Sequence, residues 1–172
     1  MDSDKIYLRL MTEEDTDRIV AWRNNPRVLH NFIYQKPFTR EGHLNWIRTQ
    51  VEPGHVVQFI ICEKATDRPV GSVYFRDISP EHKKAEYGIF IGEDDAIGKG
   101  YGSEACRKAC DYAFSKLGLH KLILRVYAEN QPAIASYEKN GFKREGYLRD
   151  EVYTQGAFHD IILMGLFAGK QS

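Results

Sequence analysis

Three glycines at alternate positions, in the stretch IGKGYGSEA from Ile97 to Ala105, constrain this chain more than any other feature. Glycine reaches positive φ without steric cost and lets other groups approach the backbone closely. From about Tyr101 to Leu117 the residues then set Cys106, Cys110, Phe114 and Leu117 along one side of a helix. A glycine turn that opens a helix suits an anion, because the first N–H groups point outward with the helix dipole behind them. Ahead of the loop KKAEYGIFI reads as a strand, and behind the helix KLILRVY reads as a second, fully buried one. Strand, loop, helix and strand together predict a right-handed parallel crossover.

The remaining segments supply antiparallel strands and covering helices. IYLRLM alternates as a strand, and TEEDTDRIVAWRNN follows with Thr12 and Asp15 in capping-box spacing. Ile19, Val20 and Trp22 fall on one side of that helix, and Pro26 is expected to stop it. After an irregular stretch, Thr39 is placed to cap a second helix, REGHLNWIRTQV. Two apolar runs between His55 and Ile78 flank a polar turn with Asp67 and Pro69, a β-hairpin. The helix AIASYEKN ends at Gly141 as a left-handed cap, and two strands meeting near Gly156 close the chain. A mixed sheet with helices on both faces is expected.

Composition narrows the function. The 172 residues fit one domain over 1–172, and 24 Lys plus Arg balance 24 Asp plus Glu. With no global field, neither nucleic acid nor an acidic membrane is an expected partner. No apolar run reaches 18 residues, and MDSDKIYLRL is neither a signal nor a transit peptide, so the cytoplasm is the expected compartment. The three cysteines form no CxxC pair, and Cys62, Cys106 and Cys110 all read as core residues. No metal site is expected.

Two phosphate-binding loops can be weighed against the glycines. A P-loop fails: five residues separate Gly92 from Gly98 where four are needed, and Gly100 stands where Ser or Thr would bind magnesium. GYGSEA does satisfy the dinucleotide pattern, with Glu129 after the next strand. That loop, however, begins several residues past its strand, and only one complete βαβ unit exists.

A third kind of pyrophosphate cradle remains, to which Lys99 can add a point charge. IGKGYGSEA, with AENQPAIASYEKNGF after the next strand, resembles the GCN5-related N-acetyltransferases (GNAT), and the likeness runs over nearly the whole chain. The resemblance implies an α+β, three-layer α/β/α fold around a twisted, mixed seven-stranded sheet, splayed between its fourth and fifth strands. It implies acetyl-CoA as co-substrate. Backbone groups of Ile89, Phe90 and Ile91 would pair with the pantetheine arm, and amides of Gly98, Lys99, Gly100, Tyr101, Gly102 and Ser103 would hold the pyrophosphate. Asn130 would bond the pantetheine, and Tyr137 would sit beside the thioester sulfur. Ile97 stands where the family usually has Gln or Arg, a departure similar to the branch of ribosomal-protein-alanine acetyltransferases.

Acetyl transfer to an amine requires a deprotonated amine, an oxyanion donor and a proton for the leaving thiolate. A phenol near pKa 10 keeps its proton until sulfur takes it, so Tyr137 suits the general acid. Main-chain N–H groups after Glu86 suit the oxyanion. Glu86 is the first choice of base, directly or through water, ahead of His82 and His159; a cross-strand ion pair is its structural alternative. An acyl-cysteine route is disfavoured by the apolar setting of all three thiols.

The front of the chain, WRNNPRVLHNFIYQKPFTREGHLNWI, and its end, YLRDEVYTQGAFHDIILMGL, resemble acetyltransferases of nucleotide-linked 4-amino sugars. Arg23, Asn24, His43, Trp46, Tyr74 and Glu86 would line the acceptor pocket. A polyamine or a ribosomal-protein N-terminus is the alternative acceptor, and a non-catalytic CoA-binding regulator the alternative class. A homodimer is left open.

Overall fold

The computed structural model describes residues 3–169; the other positions of the expected 1–172 domain lie outside the described residues. In chain order the elements are β1 (Ile6–Leu10), α1 (Thr16–Asn24), α2 (Pro26–Leu29), α3 (Arg40–Trp46), β2 (Val57–Glu63), β3 (Pro69–Ser79) and β4 (Lys84–Ile91). Then come α4 (Tyr101–Ser115), β5 (Lys121–Tyr127), α5 (Gln131–Lys139), β6 (Lys143–Thr154) and β7 (Ala157–Phe167). The strands form one seven-stranded sheet in the order β1-β2-β3-β4-β5-β7-β6. Every neighbouring pair is antiparallel except β4 and β5, which run parallel through the α4 crossover. This is the expected α+β architecture with a mixed sheet.

Strand alternation sorts the apolar side chains onto two faces. On β2, Phe59 and Ile61 enter one core while Ile60 and Cys62 enter the other. The first core lies under α4 and α5, where Ala105, Cys106, Ala109, Cys110 and Ala113 line the buried stripe of α4 and Ile134 that of α5. Small residues let α4 lie close to the sheet. The second core lies under α1 to α3 and gathers Ile19, Trp22, Val28, Ile47 and Phe90. All three cysteines are buried and free, as expected.

Local chemistry sets the element ends. Thr39 Oγ1 accepts from Gly42 N–H (3.0 Å), capping α3, and Asp15 accepts from Thr12 N–H (2.9 Å). The second expected helix continues past Trp46 as a π-turn over Ile47–Val51, closed by Glu52 N–H on Ile47 O (2.9 Å). Pro26 does more than stop α1. Proline at the first helical position lacks an N–H that would have no partner there, so it opens α2, with Asn25 Oδ1 accepting from Arg27 N–H (3.1 Å). Gly141 takes φ +95° and ends α5 as expected.

One feature of the sheet positions everything that follows. β4 and β5 pair only at Lys84–Lys121, Ala85–Leu122 and Glu86–Ile123. Beyond Glu86, β4 stays with β3 as far as Ile91, while β5 stays with β7 as far as Tyr127. A wedge opens between them. At its base Tyr87, Tyr137 of α5 and Phe142 meet edge-on or tilted, with ring centroids 5.5–6.3 Å apart.

Candidate active site

The glycine loop lies between β4 and α4. Gly98 and Gly100 sit at φ +77° and +82°, a region that L side chains rarely adopt. A methyl group at Gly98, Gly100 or Gly102 would meet no atom within 4 Å, so the space beside all three is open. Glu104 N–H donates to Gly100 O (3.2 Å), which leaves the amides of Tyr101, Gly102 and Ser103 as the outward-pointing donors of the first turn. An open, left-handed entry below free amides fits a diphosphate. Ile97 is half exposed at the mouth of the loop and offers no polar side chain.

Side chains brace the loop from outside. Lys99 Nζ lies 3.9 Å from Glu63 Oε1, and Tyr101 OH donates to the same oxygen (3.2 Å). Ser103 Oγ accepts from Asn140 Nδ2 (3.3 Å), tying α4 to the end of α5. The acidic run before the loop is a set of tethers. Glu93 accepts from Trp22 Nε1 (3.0 Å), Asp94 from Arg27 Nε (2.7 Å), and Asp95 from Arg68 Nη2 (2.8 Å). Arg27 with Asn25 lowers the Asp94 pKa, and Arg68 lowers that of Asp95, so both stay charged. Glu93 and Asp95 meet on the Arg68 guanidinium while Asp94 turns to Arg27, so the run is engaged by side chains of the chain itself.

Along the wedge, Ile89, Phe90 and Ile91 pair with β3 on one side and carry no β5 partner on the other. Ile91 O already accepts from Arg27 Nη2 (2.8 Å), so that carbonyl is engaged. Tyr137 is half-buried against Tyr87 and Phe142, and burial pushes its phenol well above 10. It holds its proton at neutral pH. Asn130 is used as a cap: its Oδ1 accepts from Ala133 N–H (3.3 Å) at the start of α5, and its Nδ2 reaches Asn31 Oδ1 at 3.5 Å.

The three base candidates are differently placed. Glu86 is the last β4 residue paired with β5, and its Oε1 receives Arg76 Nη2 (3.1 Å) and Arg125 Nε (2.9 Å). The cross-strand alternative is therefore present, with arginines rather than lysine. His82 is exposed on the β3–β4 turn, at the end of β4 opposite the wedge. His159 sits at the wedge side, with Nδ1 2.6 Å from Glu129 Oε1 and Nε2 3.2 Å from Thr154 O. Both ring nitrogens are thus engaged by neighbouring groups of the chain.

The expected acceptor residues divide. Tyr74 crosses to β4, its ring lying over Gly88 so closely that a methyl there would fall 2.3 Å from Cζ. Arg23 is buried beside it, its guanidinium carbon 3.8 Å from the Phe32 centroid and 4.3 Å from that of Phe38. Asn24 does not line a pocket: its side chain donates to Phe38 O (2.8 Å) and accepts from Phe38 N–H (2.7 Å), stapling the loop to α1. His43 is likewise interior, 3.1 Å from Thr16 Oγ1, with Trp46 stacked on it. Burial, with the Arg23 charge, pushes the His43 pKa down to about 4.

Sequence reading missed one part of the site. A cavity of about 200 Å³ opens where β5 ends, walled by His30 and Asn31 after α2, Glu129 and Asn130 before α5, and Thr154 and His159 of the β6–β7 hairpin. These residues are up to 129 positions apart, as His30 and His159 show, and share no local pattern. Only the strand order β5-β7-β6 brings them together.

Comparison with known proteins agrees with this geometry. The spermidine N(1)-acetyltransferase of Escherichia coli K12 is 32% identical over 167 residues, covering 94% of this chain and 86% of the relative. That of Vibrio cholerae is 28% identical, covering 96% and 95%. A crystal structure of the Vibrio cholerae spermidine N-acetyltransferase in complex with CoA and spermine superposes with a TM-score of 0.90 at 26% identity, over 96% of this chain and 97% of that one. These relatives bear polyamine names, not those of the amino-sugar or ribosomal-protein branches expected from the sequence. Residues 5–143 match the family described as the acetyltransferase (GNAT) domain, and the chain belongs to that family.

Proposed function

We propose that the glycine cradle and the β4–β5 wedge are one site, in which this acetyl-CoA-dependent N-acetyltransferase moves its acyl group directly to the primary amine of a small molecule. The observation that carries this reading is the open, positive-φ entry of α4 beside a β4 edge with no β5 partner. Acetyl-CoA supplies the acyl group as a thioester. The amides of Gly98 to Ser103 bind the diphosphate, with Lys99 adding charge, and the free edge at Ile89 and Phe90 pairs with the pantetheine arm. Main-chain N–H groups beyond Glu86 stabilise the oxyanion. Tyr137, kept protonated by burial, gives its proton to the leaving thiolate. Glu86, held by two guanidiniums, orients the acceptor or an ordered water rather than taking a proton alone.

The relatives' acceptors favour a polyamine over the nucleotide-linked amino sugar. A feature of this chain favours a second acceptor class: its acceptor face sets Arg23, Arg76 and Arg125 against only two carboxylates, Glu86 and Asp77, and Arg23 pairs with neither, which suits an amine that also bears an anion. Thiol release from acetyl-CoA, followed across spermidine, amino sugars and amino acids, tests the reaction. Saturable release with a small amine is the expected result. Saturable acetyl-CoA binding with no release from any amine would replace the enzyme with a coenzyme-binding regulator.

A further inference from the structure

Arg23 carries a charge that no carboxylate around it answers. It is 8% exposed, and its Nε is buried without a hydrogen-bond partner. Among the described residues no carboxylate pairs with it; the polar groups around it are Tyr74, within hydrogen-bonding reach, Tyr34 and a second cation, Arg76. Arginine keeps its charge when buried, and an uncompensated buried charge is unfavourable. The Phe32 and Phe38 rings cover the guanidinium, and Phe90 of β4 lies 5.6 Å from its carbon. The rings cover the guanidinium faces and leave its edge, where the Tyr74 side chain also reaches it, as the part that matches a carboxylate or phosphate.

The position of that edge bears on the reaction. Phe90 and Gly88, over which Tyr74 lies, are the β4 residues immediately beyond the point where β5 departs. An anion held by Arg23 therefore sits on the acceptor face of the wedge. Arg76 and Arg125 add two positive charges on the same face, which Glu86 and, 3.9 Å from Arg76 Nε, Asp77 offset, so the Arg23 charge is left over. His43, buried nearby, stays neutral above pH 5 and adds no negative charge. A polycation entering this face meets net positive charge.

We infer that Arg23 is a specificity-determining residue that binds a carboxylate or phosphate group on the acceptor, so that the acceptor is a primary amine carrying an anion. This rests on the acetyl-transfer reading. The test compares O-phosphoethanolamine, β-alanine, ethanolamine and spermidine as acceptors, and titrates inorganic phosphate and acetate into protein already saturated with CoA, whose own diphosphate site is then filled. An anionic amine is expected to exceed both ethanolamine and spermidine in kcat/KM by tenfold or more, phosphoethanolamine leading if the group is a phosphate and β-alanine if it is a carboxylate. Arg23→Gln should abolish that preference through KM, and Arg23→Lys should restore part of it. Should Arg23→Gln fail to fold, the anion titration of the unaltered, CoA-loaded protein stands in its place, with saturable binding of phosphate or acetate expected. Spermidine as the best acceptor, an anion preference that survives in Arg23→Gln, or no saturable anion binding to the CoA-loaded protein would each overturn the inference. Failure of every amine to release thiol would count against acetyl transfer instead, and the anion titration would still decide the role of Arg23.

Discussion

The two faces of the sheet are built on opposite plans. Under α4 and α5 the interior is apolar save for the buried Tyr87 hydroxyl, with Leu122, Leu124, Ile134, Phe142 and Met164 at 2% exposure or less. The work of that half at its rim falls to main-chain amides and glycines. Under α1 to α3 the interior holds Thr16, Arg23, His43, Gln58 and Ser72, and three of its polar atoms, Arg23 Nε, His43 Nε2 and Gln58 Oε1, are buried without a partner. Buried polar side chains cost stability unless each is matched, so an acceptor bound on that half, as proposed, would be selected by the polar groups it satisfies.

Substitutions should separate the two halves. Tyr137→Phe, at the boundary, removes the proton donor and should lower kcat about 100-fold with acetyl-CoA affinity little changed. Because burial raises the Tyr137 pKa, the wild-type rate should rise with pH as the amine deprotonates and show no falling limb below pH 10; a descending limb near pH 8–9 would remove the phenol from the mechanism. On the coenzyme side, Gly100→Val forces a β-branched residue to φ +82° and should weaken acetyl-CoA binding by about 30-fold, from strain plus misdirected amides. Calorimetry giving wild-type affinity would break the division.

On the acceptor side, His43 supplies a pH signature. Its folded pKa of about 4 lies below the usual 6.5, so the neutral form stabilises the fold fully above pH 6.5 and that stability is lost as pH falls toward 4. The loss should be roughly 2–3 kcal/mol, read from denaturant midpoints, and His43→Leu should flatten that slope. The smallest effect is expected from Gly88→Ala, whose methyl would displace the Tyr74 ring. A loss of about 1 kcal/mol and a several-fold rise in acceptor KM, with acetyl-CoA binding unchanged, would sharpen the contrast.

Most of the fold was readable because its elements are locally encoded. The stripe of α4, the caps at Thr39 and Gly141 and the alternation of β2 depend on residues within a turn or a strand of one another. Pro26 ends α1 as expected, but its second role in opening α2 is not legible locally, because both use the same missing N–H and the path of the chain decides whether a helix follows. Asn24 and Asn130 carry polar atoms suited to a ligand, yet the nearest donors and acceptors turned out to be backbone groups of Phe38 and Ala133.

Taken alone, the amino-acid order determined that residues 98–103 form an open, glycine-built helix entry, since positive φ and close approach are properties of glycine itself. The tertiary structure decided what stands opposite it. Arg23, Arg76 and Arg125 are 53 and 49 positions apart in turn, and no local pattern joins them. They share a face because β4 parts from β5 after Glu86 and α1 lies across the gap, which is a consequence of strand pairing and packing rather than of any neighbouring residue.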